Sequence, residues 1–163
     1  MKKNAIRPGE TCDDFFELLS GTVIEQDIAA MRKSQKITIT QLKSIYELGV
    51  KFYTEFQFKE AEIIFSAYIG LNPYDHRGPG CLAAILLEKG QFKRALEVLN
   101  ILKTFPTNDL DETILNISLC HYKLKEYTEA SVTFIIVKAD NLNDFYLKRY
   151  HYLKLQLRPY LPS

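Results

Sequence analysis

The chain has 163 residues, of which 47% are hydrophobic and 25% charged, and its formal net charge is +1. This composition is that of an ordinary globular protein of about one domain. Nucleic acids and anionic membranes select proteins with a clear basic excess, so the charge balance argues against a nucleic-acid partner and against a dedicated anionic-membrane surface.

The first residues do not predict a targeting signal. The basic residues at the N-terminus are followed by Pro8, Gly9 and Glu10 rather than by an apolar run. No stretch approaches the roughly 20 apolar residues that a transmembrane helix needs, so we expect no stable membrane insertion. The three cysteines (Cys12, Cys81 and Cys120) are widely spaced and form no C-x-x-C pair, which is typical of a reducing compartment. We therefore expect a cytoplasmic protein.

Residues 1 to about 12 are predicted to form an arm, followed by two short amphipathic segments. The first segment contains a dense apolar cluster, made of Phe15, Phe16, Leu18 and Leu19. Two interpretations remain open for this cluster. It either caps the end of a helical array, as terminal elements must, or forms a dimerisation surface.

From residue 42 to residue 137 one pattern occurs three times. An alanine is preceded three residues earlier by an aromatic residue and followed four residues later by a large apolar residue. The matches are Phe58/Ala61/Phe65, Phe92/Ala95/Leu99 and Tyr127/Ala130/Phe134, with the alanines 34 and 35 residues apart. Two helices repeated at this period are typical of the tetratricopeptide repeat. The sequence thus predicts an all-α fold of three such repeats forming a short superhelix.

The spacing within the first repeat predicts which face its first helix buries. Ile45, Leu48, Gly49 and Phe52 lie at i, i+3, i+4 and i+7, so they are expected on one buried face. Gly49 should let the second helix approach closely. Thr40 is a plausible N-cap for this first helix.

Three further helix boundaries follow from proline and capping residues. Pro79 is tolerated only in a first turn, so the first helix of the second repeat should begin near Gly78 or Pro79. Pro106, Asn108 and Asp109 should supply the stop between the second and third repeats and the cap of the next helix. Asn141 to Asn143 should start a last helix from about Asp144 to Leu157.

The predicted domain organisation has three parts: an N-terminal arm with short helices at residues 1–40, a three-repeat domain at 41–140, and a capping helix with its tail at 141–163. From residue 141 onward the positive charges exceed the negative ones by three. The last helix is expected to pack an apolar stripe on the third repeat. A basic docking surface is the alternative interpretation.

The sequence contains no pattern that favours catalysis. His76, His121 and His151 are isolated, without the spacing of a zinc site. Gly78 and Gly80 flank a proline and do not follow an apolar strand, so they do not predict a phosphate-binding loop. We expect no enzymatic activity, no cofactor and no metal.

Repeat geometry predicts a protein-binding surface instead. The first helices of stacked repeats line a concave wall, and its residues lie one position beyond the packing residues. This peptide-binding groove is predicted to comprise Tyr46, Val50, Tyr53, Gly80, Ala84, Leu87, Leu115, Leu119 and Tyr122. The set is apolar and aromatic. Alternatively, the chain's own last helix or N-terminal segment covers the wall.

These repeats resemble the class II chaperones of bacterial type III secretion, the SycD/LcrH-like group. The resemblance covers about residues 42 to 137. The residues that carry it are Leu48-Gly49, Tyr53, Phe58-x-x-Ala61, Phe65, Tyr74-Asp75-x-Arg77, Gly90-Gln91-Phe92-x-x-Ala95, Cys120 and Glu129-Ala130. Tyr-Asp-x-Arg followed by Gly-Gln-aromatic is the most specific part, since generic repeats do not require it.

The resemblance implies a cytoplasmic bacterial chaperone that holds a hydrophobic translocator in its concave groove until export. It places groove aromatics at Tyr46, Tyr53 and Tyr122, and dimerisation at the Phe15, Phe16, Leu18 and Leu19 cluster. The alternative function is a repeat adaptor or scaffold that assembles with other secretion-apparatus or regulatory proteins.

Overall fold

The structure, a computed structural model, describes residues 37–162, which form seven α-helices, two 3-10 helices and no β-strand. The α-helices are α1 (Ile39–Thr54), α2 (Phe58–Leu71), α3 (Arg77–Glu88), α4 (Phe92–Leu102), α5 (Leu110–Lys123), α6 (Tyr127–Ile135) and α7 (Asp144–Leu157). The 3-10 helices are Ala139–Asn141 and Arg158–Tyr160. The all-α prediction is confirmed. The chain divides into two compact units after Pro73.

In the first unit, α1 and α2 pack together through one glycine. Gly49 is buried, and a Cβ placed on it would lie 2.8 Å from Cζ of Phe65. Phe65 itself is 1% exposed, and Ala61 beside it on α2 is fully buried. The close approach predicted for Gly49 is therefore confirmed.

Two details of α1 differ from the sequence prediction. The N-cap is Thr38, not Thr40, because Gln41 lies three residues after Thr38 and completes a reciprocal capping box. Leu48, predicted on the buried face, is 41% exposed. Of the four residues predicted on this face, Gly49 is buried and Ile45 and Phe52 are half-buried, so the prediction is correct only in part.

In the second unit, α3 packs on α4, α4 on α5, and α5 on α6, while α7 packs on both α5 and α6. One core cluster fills the space among α3, α4 and α5, and contains Ala83, Leu86, Ala95, Leu99, Leu102, Ile117 and Cys120. A second cluster joins α5 and α6 to α7, where Leu153 and Leu157 are fully buried. The predicted packing of the last helix on the third repeat is confirmed.

Each repeat turns between its two helices through the same hydrogen-bonded motif. Phe56, Gly90 and Lys125 all have positive φ, at 59°, 68° and 66°. The amide of the residue after each one donates to the carbonyl five residues back, as in Gln91 N–H to Leu86 O at 2.8 Å. This is the Schellman ending of a helix, which favours glycine at the positive-φ position. Only the second repeat has glycine there.

The other predicted helix starts are confirmed. α3 begins at Arg77, which places Pro79 in its first turn. The Asp109 side chain caps α5 by accepting from the Glu112 amide. Asn143 caps α7, whose bounds agree with the prediction.

Within the third repeat, a buried serine takes the place that Gly49 has in the first. Ser118 is fully buried, and its hydroxyl donates to the carbonyl of Ala130 at 2.8 Å. The hydrogen bond joins α5 to α6 and satisfies a hydroxyl that burial would otherwise leave unpaired.

The predicted cluster at Phe15, Phe16, Leu18 and Leu19 lies outside the described residues.

Candidate protein-binding faces

The predicted groove residues fall on two faces, one in each unit. We name them the first-repeat face, formed by Tyr46, Val50 and Tyr53 on α1, and the second-unit face, formed by Gly80, Ala84 and Leu87 on α3 with Leu115, Leu119 and Tyr122 on α5. Both faces belong to the first helices of their repeats.

On the first-repeat face, the two tyrosines also contribute to packing within the repeat. The ring centroid of Tyr46 lies 5.7 Å from that of Phe65 and 5.5 Å from that of Tyr68. The Tyr53 ring lies 5.7 Å from that of Phe58. Both tyrosines are half-buried, whereas Val50, one turn from each, is exposed. Val50 is therefore the apolar side chain of this face that a partner reaches most directly.

The second-unit face is brought together only in part. Leu115 is fully buried and Leu119 is 8% exposed, and both share a core cluster with Leu153 and Leu157 of α7. Leu87 is half-buried against the same cluster. The last helix thus completes the core around these leucines, as the alternative interpretation of the wall expects.

Gly80 and Ala84, on α3, are the least crowded part of the second-unit face. Both are half-buried. A Cβ placed on Gly80 would meet only Leu102, at 4.0 Å, which is ordinary van der Waals contact. The small side chains leave the surface of α3 accessible at these two positions.

Tyr122 lies in a cluster of four tyrosines formed with Tyr127, Tyr152 and Tyr160. Its ring centroid lies 5.8 Å from that of Tyr127 and 6.3 Å from that of Tyr152. Tyr160, in the final 3-10 helix, stacks on Tyr127 at 4.8 Å. The Tyr122 hydroxyl donates to Gln156 at 3.0 Å, and desolvation, with the neighbouring tyrosines, raises its pKa. Tyr122 therefore belongs to the second-unit face and also holds the C-terminal helix in place.

Acidic residues at the start of α5 have a role that the sequence analysis did not identify. Asp111 accepts from the backbone amide of Lys138 at 2.8 Å and from the Asn141 side chain at 2.6 Å. Glu112 accepts from the side chain of Asn143, the N-cap of α7, at 2.7 Å. These carboxylates hold the start of α7 in place. Both also lie in the first turn of α5, where a carboxylate interacts favourably with the helix dipole.

A second polar contact between α5 and α7 lies deeper. The guanidinium of Arg149 donates to Asn116 and lies over the rings of Phe145 and Tyr146, 5.1 and 5.4 Å from their centroids. Desolvation raises the pKa of Tyr146. Burial also raises the pKa of the nearby Cys120 thiol to about 12, although the positive charge of Arg149 acts in the opposite direction.

The Tyr-Asp-x-Arg sequence builds the entry to α3. Arg77 pairs with Asp75 through a 2.6 Å contact, and the Asp75 carboxylate also accepts from the backbone amide of Arg77 at 3.0 Å. His76 lies 2.9 Å from the hydroxyl of Thr107 in the connection between α4 and α5. Tyr74 is 85% exposed. The acidic and basic residues of this sequence therefore have a local structural role.

The histidine of α5 has a carboxylate partner. His121 Nδ1 lies 2.6 Å from Glu126 across the turn into α6. Among the described residues, no three His, Cys, Asp or Glu side chains are placed to hold a metal ion. Over the same part of the chain, every helix is too short or too polar to cross a membrane.

No protein-family model and no curated protein matches the sequence. Solved structures do match. The type III secretion translocator chaperone SycD of Yersinia enterocolitica is 17% identical, with a TM-score of 0.63 over 79% of this chain and 96% of SycD. The chain shares its fold with SycD.

Two other structures are similar to the same degree. The CopN–Scc3 complex contains a chain with 20% identity and a TM-score of 0.66, covering 93% of this chain and 91% of that one. The tetratricopeptide-repeat domain of Arabidopsis OM64 has 19% identity and a TM-score of 0.62, covering 74% of this chain and 96% of that one. The tetratricopeptide-repeat prediction is confirmed.

Proposed function

We propose that this chain is a non-enzymatic cytoplasmic chaperone of a bacterial type III secretion system. It holds an apolar segment of a secreted client until export. The observation that carries the proposal is the fold shared with SycD, which has also been solved with a peptide of the translocator YopD (17% identity, TM-score 0.61, covering 73% of this chain and 96% of SycD). The Tyr-Asp-x-Arg and Gly-Gln-Phe sequences support it.

The client contacts the first helices of the repeats. On the first-repeat face, Val50 is accessible between two half-buried tyrosine rings, so an apolar client side chain placed there buries apolar area on both partners. On the second-unit face, Gly80 and Ala84 leave room for a bulkier side chain of the client. A few such anchors supply most of the affinity, at about 1–2 kcal/mol or more each.

No chemical step or nucleotide is required for this function. A client segment that stays bound to the chaperone does not aggregate, because its apolar side chains are not accessible to those of other client molecules. Release follows when the export apparatus binds the client in competition. Whether the client stays bound or is released depends on the difference between its binding free energy for the chaperone and its binding free energy for the export apparatus.

The test compares two valines. Val50→Asp places a carboxylate on the first-repeat face, where an apolar client would leave it unpaired and desolvated, at a cost of several kcal/mol. Val132→Asp makes the same change on α6, where Val132 is 63% exposed. The tagged full-length protein and both variants are purified from the native bacterium, and bound proteins are quantified by mass spectrometry. Circular dichroism verifies that both variants are folded.

We expect a secreted protein with long apolar segments to be recovered with the wild type and with Val132→Asp. Its recovery should fall at least tenfold with Val50→Asp. Equal recovery with both variants would overturn the assignment of the first-repeat face to client binding.

The second candidate function is an adaptor that assembles with other apparatus or regulatory proteins. The observation that favours it is an exposed apolar surface on α6 and its C-cap, where Val132, Ile135 and the C-cap Ile136 are 63%, 53% and 60% exposed. Loss of soluble apparatus proteins with Val132→Asp, and their retention with Val50→Asp, would favour the adaptor over the chaperone.

A further inference from the structure

The last helix has one exposed side that takes no part in the core. Residues three and four positions apart are neighbours on the surface of a helix. On α7 this spacing joins Lys148, His151, Leu155 and Arg158 in one exposed stripe, and the exposed Lys154 lies beside it. Leu155, in the stripe, is 66% exposed although it is a large apolar residue. We name these five residues the α7 outer face.

The basic charge of the α7 outer face is hidden in the charge of the whole chain. From residue 141 onward the positive charges exceed the negative ones by three, whereas in residues 1–140 the negative charges exceed the positive ones by two. Asp144 is the one acidic residue in the sequence after residue 140. The near-neutral total, which by itself argues against an anionic-membrane surface, is therefore an average over two parts of opposite charge.

The cations of this face are available to a partner. Within the part of the chain that the structure describes, no hydrogen bond or ion pair engages the side chains of Lys148, Lys154 or Arg158. Arg149, in contrast, points inward and donates to Asn116. A surface pocket on the same side is lined, without a carboxylate, by His151, Lys154, Leu155, Arg158, Leu161 and Pro162.

Aromatic side chains lie along the opposite border of the face from Lys154. Phe145 and Tyr152, two turns apart on α7, are 60% and 43% exposed, and Tyr160 in the final 3-10 helix is 47% exposed. Aromatic and aliphatic side chains beside lysine and arginine are typical of helices that lie in the interface of an anionic bilayer. A lipid surface accommodates both kinds of side chain at once, whereas a soluble acidic polypeptide accounts only for the basic ones.

We propose that the α7 outer face binds reversibly to an anionic lipid surface. Lys148, Lys154 and Arg158 contact headgroup phosphates, and Leu155 enters the boundary between headgroups and acyl chains. Each basic side chain at such a surface strengthens binding about fivefold, so three of them support a peripheral association in which the other side of α7 stays packed in the core. The α7 outer face shares no residue with the first-repeat face or the second-unit face, so this proposal is independent of client binding.

Charge reversal tests the basic side chains. Full-length protein is sedimented with vesicles of equimolar phosphatidylglycerol and phosphatidylcholine, and with vesicles of phosphatidylcholine alone. The wild type should bind only the anionic vesicles, and Lys154→Glu with Arg158→Glu should weaken that binding at least tenfold. Lys93→Glu with Lys103→Glu makes the same charge change at exposed sites of α4 and its C-cap, and should leave the binding unchanged. Circular dichroism verifies that both variants are folded.

A tryptophan tests whether the apolar centre of the face enters the lipid. The chain contains no tryptophan, so a single one reports on a chosen site. With anionic vesicles, the emission of Leu155→Trp should shift to shorter wavelengths and be quenched by lipids brominated on their acyl chains. Ile101→Trp, at a site of α4 that is 60% exposed, is the matched control and should show neither effect. Soluble poly-glutamate, which offers carboxylates without an apolar phase, should not shift the Leu155→Trp emission.

Three results would overturn the proposal. The first is a wild-type protein that does not bind anionic vesicles. The second is an equal loss of vesicle binding in both charge-reversed variants. The third is a Leu155→Trp emission that does not shift with anionic vesicles, or that shifts as much with poly-glutamate, which would assign the face to an acidic polypeptide.

Discussion

Replacing Gly49 by alanine tests how tightly α1 and α2 pack. The new Cβ would lie 2.8 to 3.0 Å from three ring carbons of Phe65. Unstrained carbon contacts need about 3.5 Å, so the ring must move by about 0.7 Å. Phe65 is 1% exposed and has the Tyr46 ring beside it, which restricts that movement.

The magnitude follows from two opposing terms. Overpacking of a core costs about 1–3 kcal/mol, whereas alanine is favoured over glycine in a helix interior by about 1 kcal/mol. The packing term is the larger because Phe65 has little space to move into. We expect Gly49→Ala to lower the free energy of unfolding by about 1 kcal/mol.

Gly80→Ala is the matched control, because it makes the same change in α3 where the new Cβ meets only Leu102 at 4.0 Å. It should gain up to about 1 kcal/mol from helix propensity alone. The free energies of unfolding of both variants are measured by urea unfolding, followed by circular dichroism and extrapolated linearly to zero urea. If the units unfold in separate transitions, each variant should shift that of its own unit. A Gly49→Ala protein at least as stable as the wild type would refute the packing argument.

Three further predictions concern stability and thiol reactivity. Lys125→Gly should raise the free energy of unfolding by about 0.5–1 kcal/mol in urea titrations, because Lys125 has φ 66° and glycine adopts that region without strain; an unchanged midpoint would argue against strain at this turn. Asp111→Ala removes two hydrogen bonds that hold the start of α7 and should lower the free energy of unfolding by about 1–3 kcal/mol. Relative to the wild type, amide exchange should become faster in α7 than in α3. An equal increase in both helices would contradict the anchoring role. Burial raises the pKa of the Cys120 thiol from 9.0 to about 12. Between these pH values the folded state keeps the thiol proton and the unfolded state loses it, so the free energy of unfolding should fall as pH rises from about 9 to 12. Cys120→Ala should reduce that loss, and iodoacetamide should modify native Cys81 well before Cys120; early alkylation of Cys120 would contradict its burial.

Local sequence signals determined most of the helix boundaries. Pro79, Asp109 and Asn143 each act within one turn of the chain, through a missing amide proton or a side-chain cap, so their effect needs no distant partner. The error at Thr40 is of the same kind, since Thr38 and Gln41 form a local capping box that the sequence analysis overlooked.

The repeat fold could be predicted from the spacing of the alanines. A period of 34 or 35 residues is the length of one pair of helices with its turns, so three matches in register indicate three such pairs. The turns were less visible in the sequence. Phe56 and Lys125 have the same positive φ as Gly90 although neither is glycine. The two hydrogen bonds of each Schellman ending hold the backbone there despite the side chain.

Only the tertiary structure decided which apolar residues remain accessible. Leu119 and Val50 occupy equivalent positions in their repeats, yet Leu119 is 8% exposed and Val50 is 36% exposed. The helical period places both on one stripe of a helix but does not specify what packs against it. The core cluster shared with α7 encloses Leu119. Burial of a given stripe depends on contacts between distant parts of the chain, which the sequence pattern does not encode residue by residue.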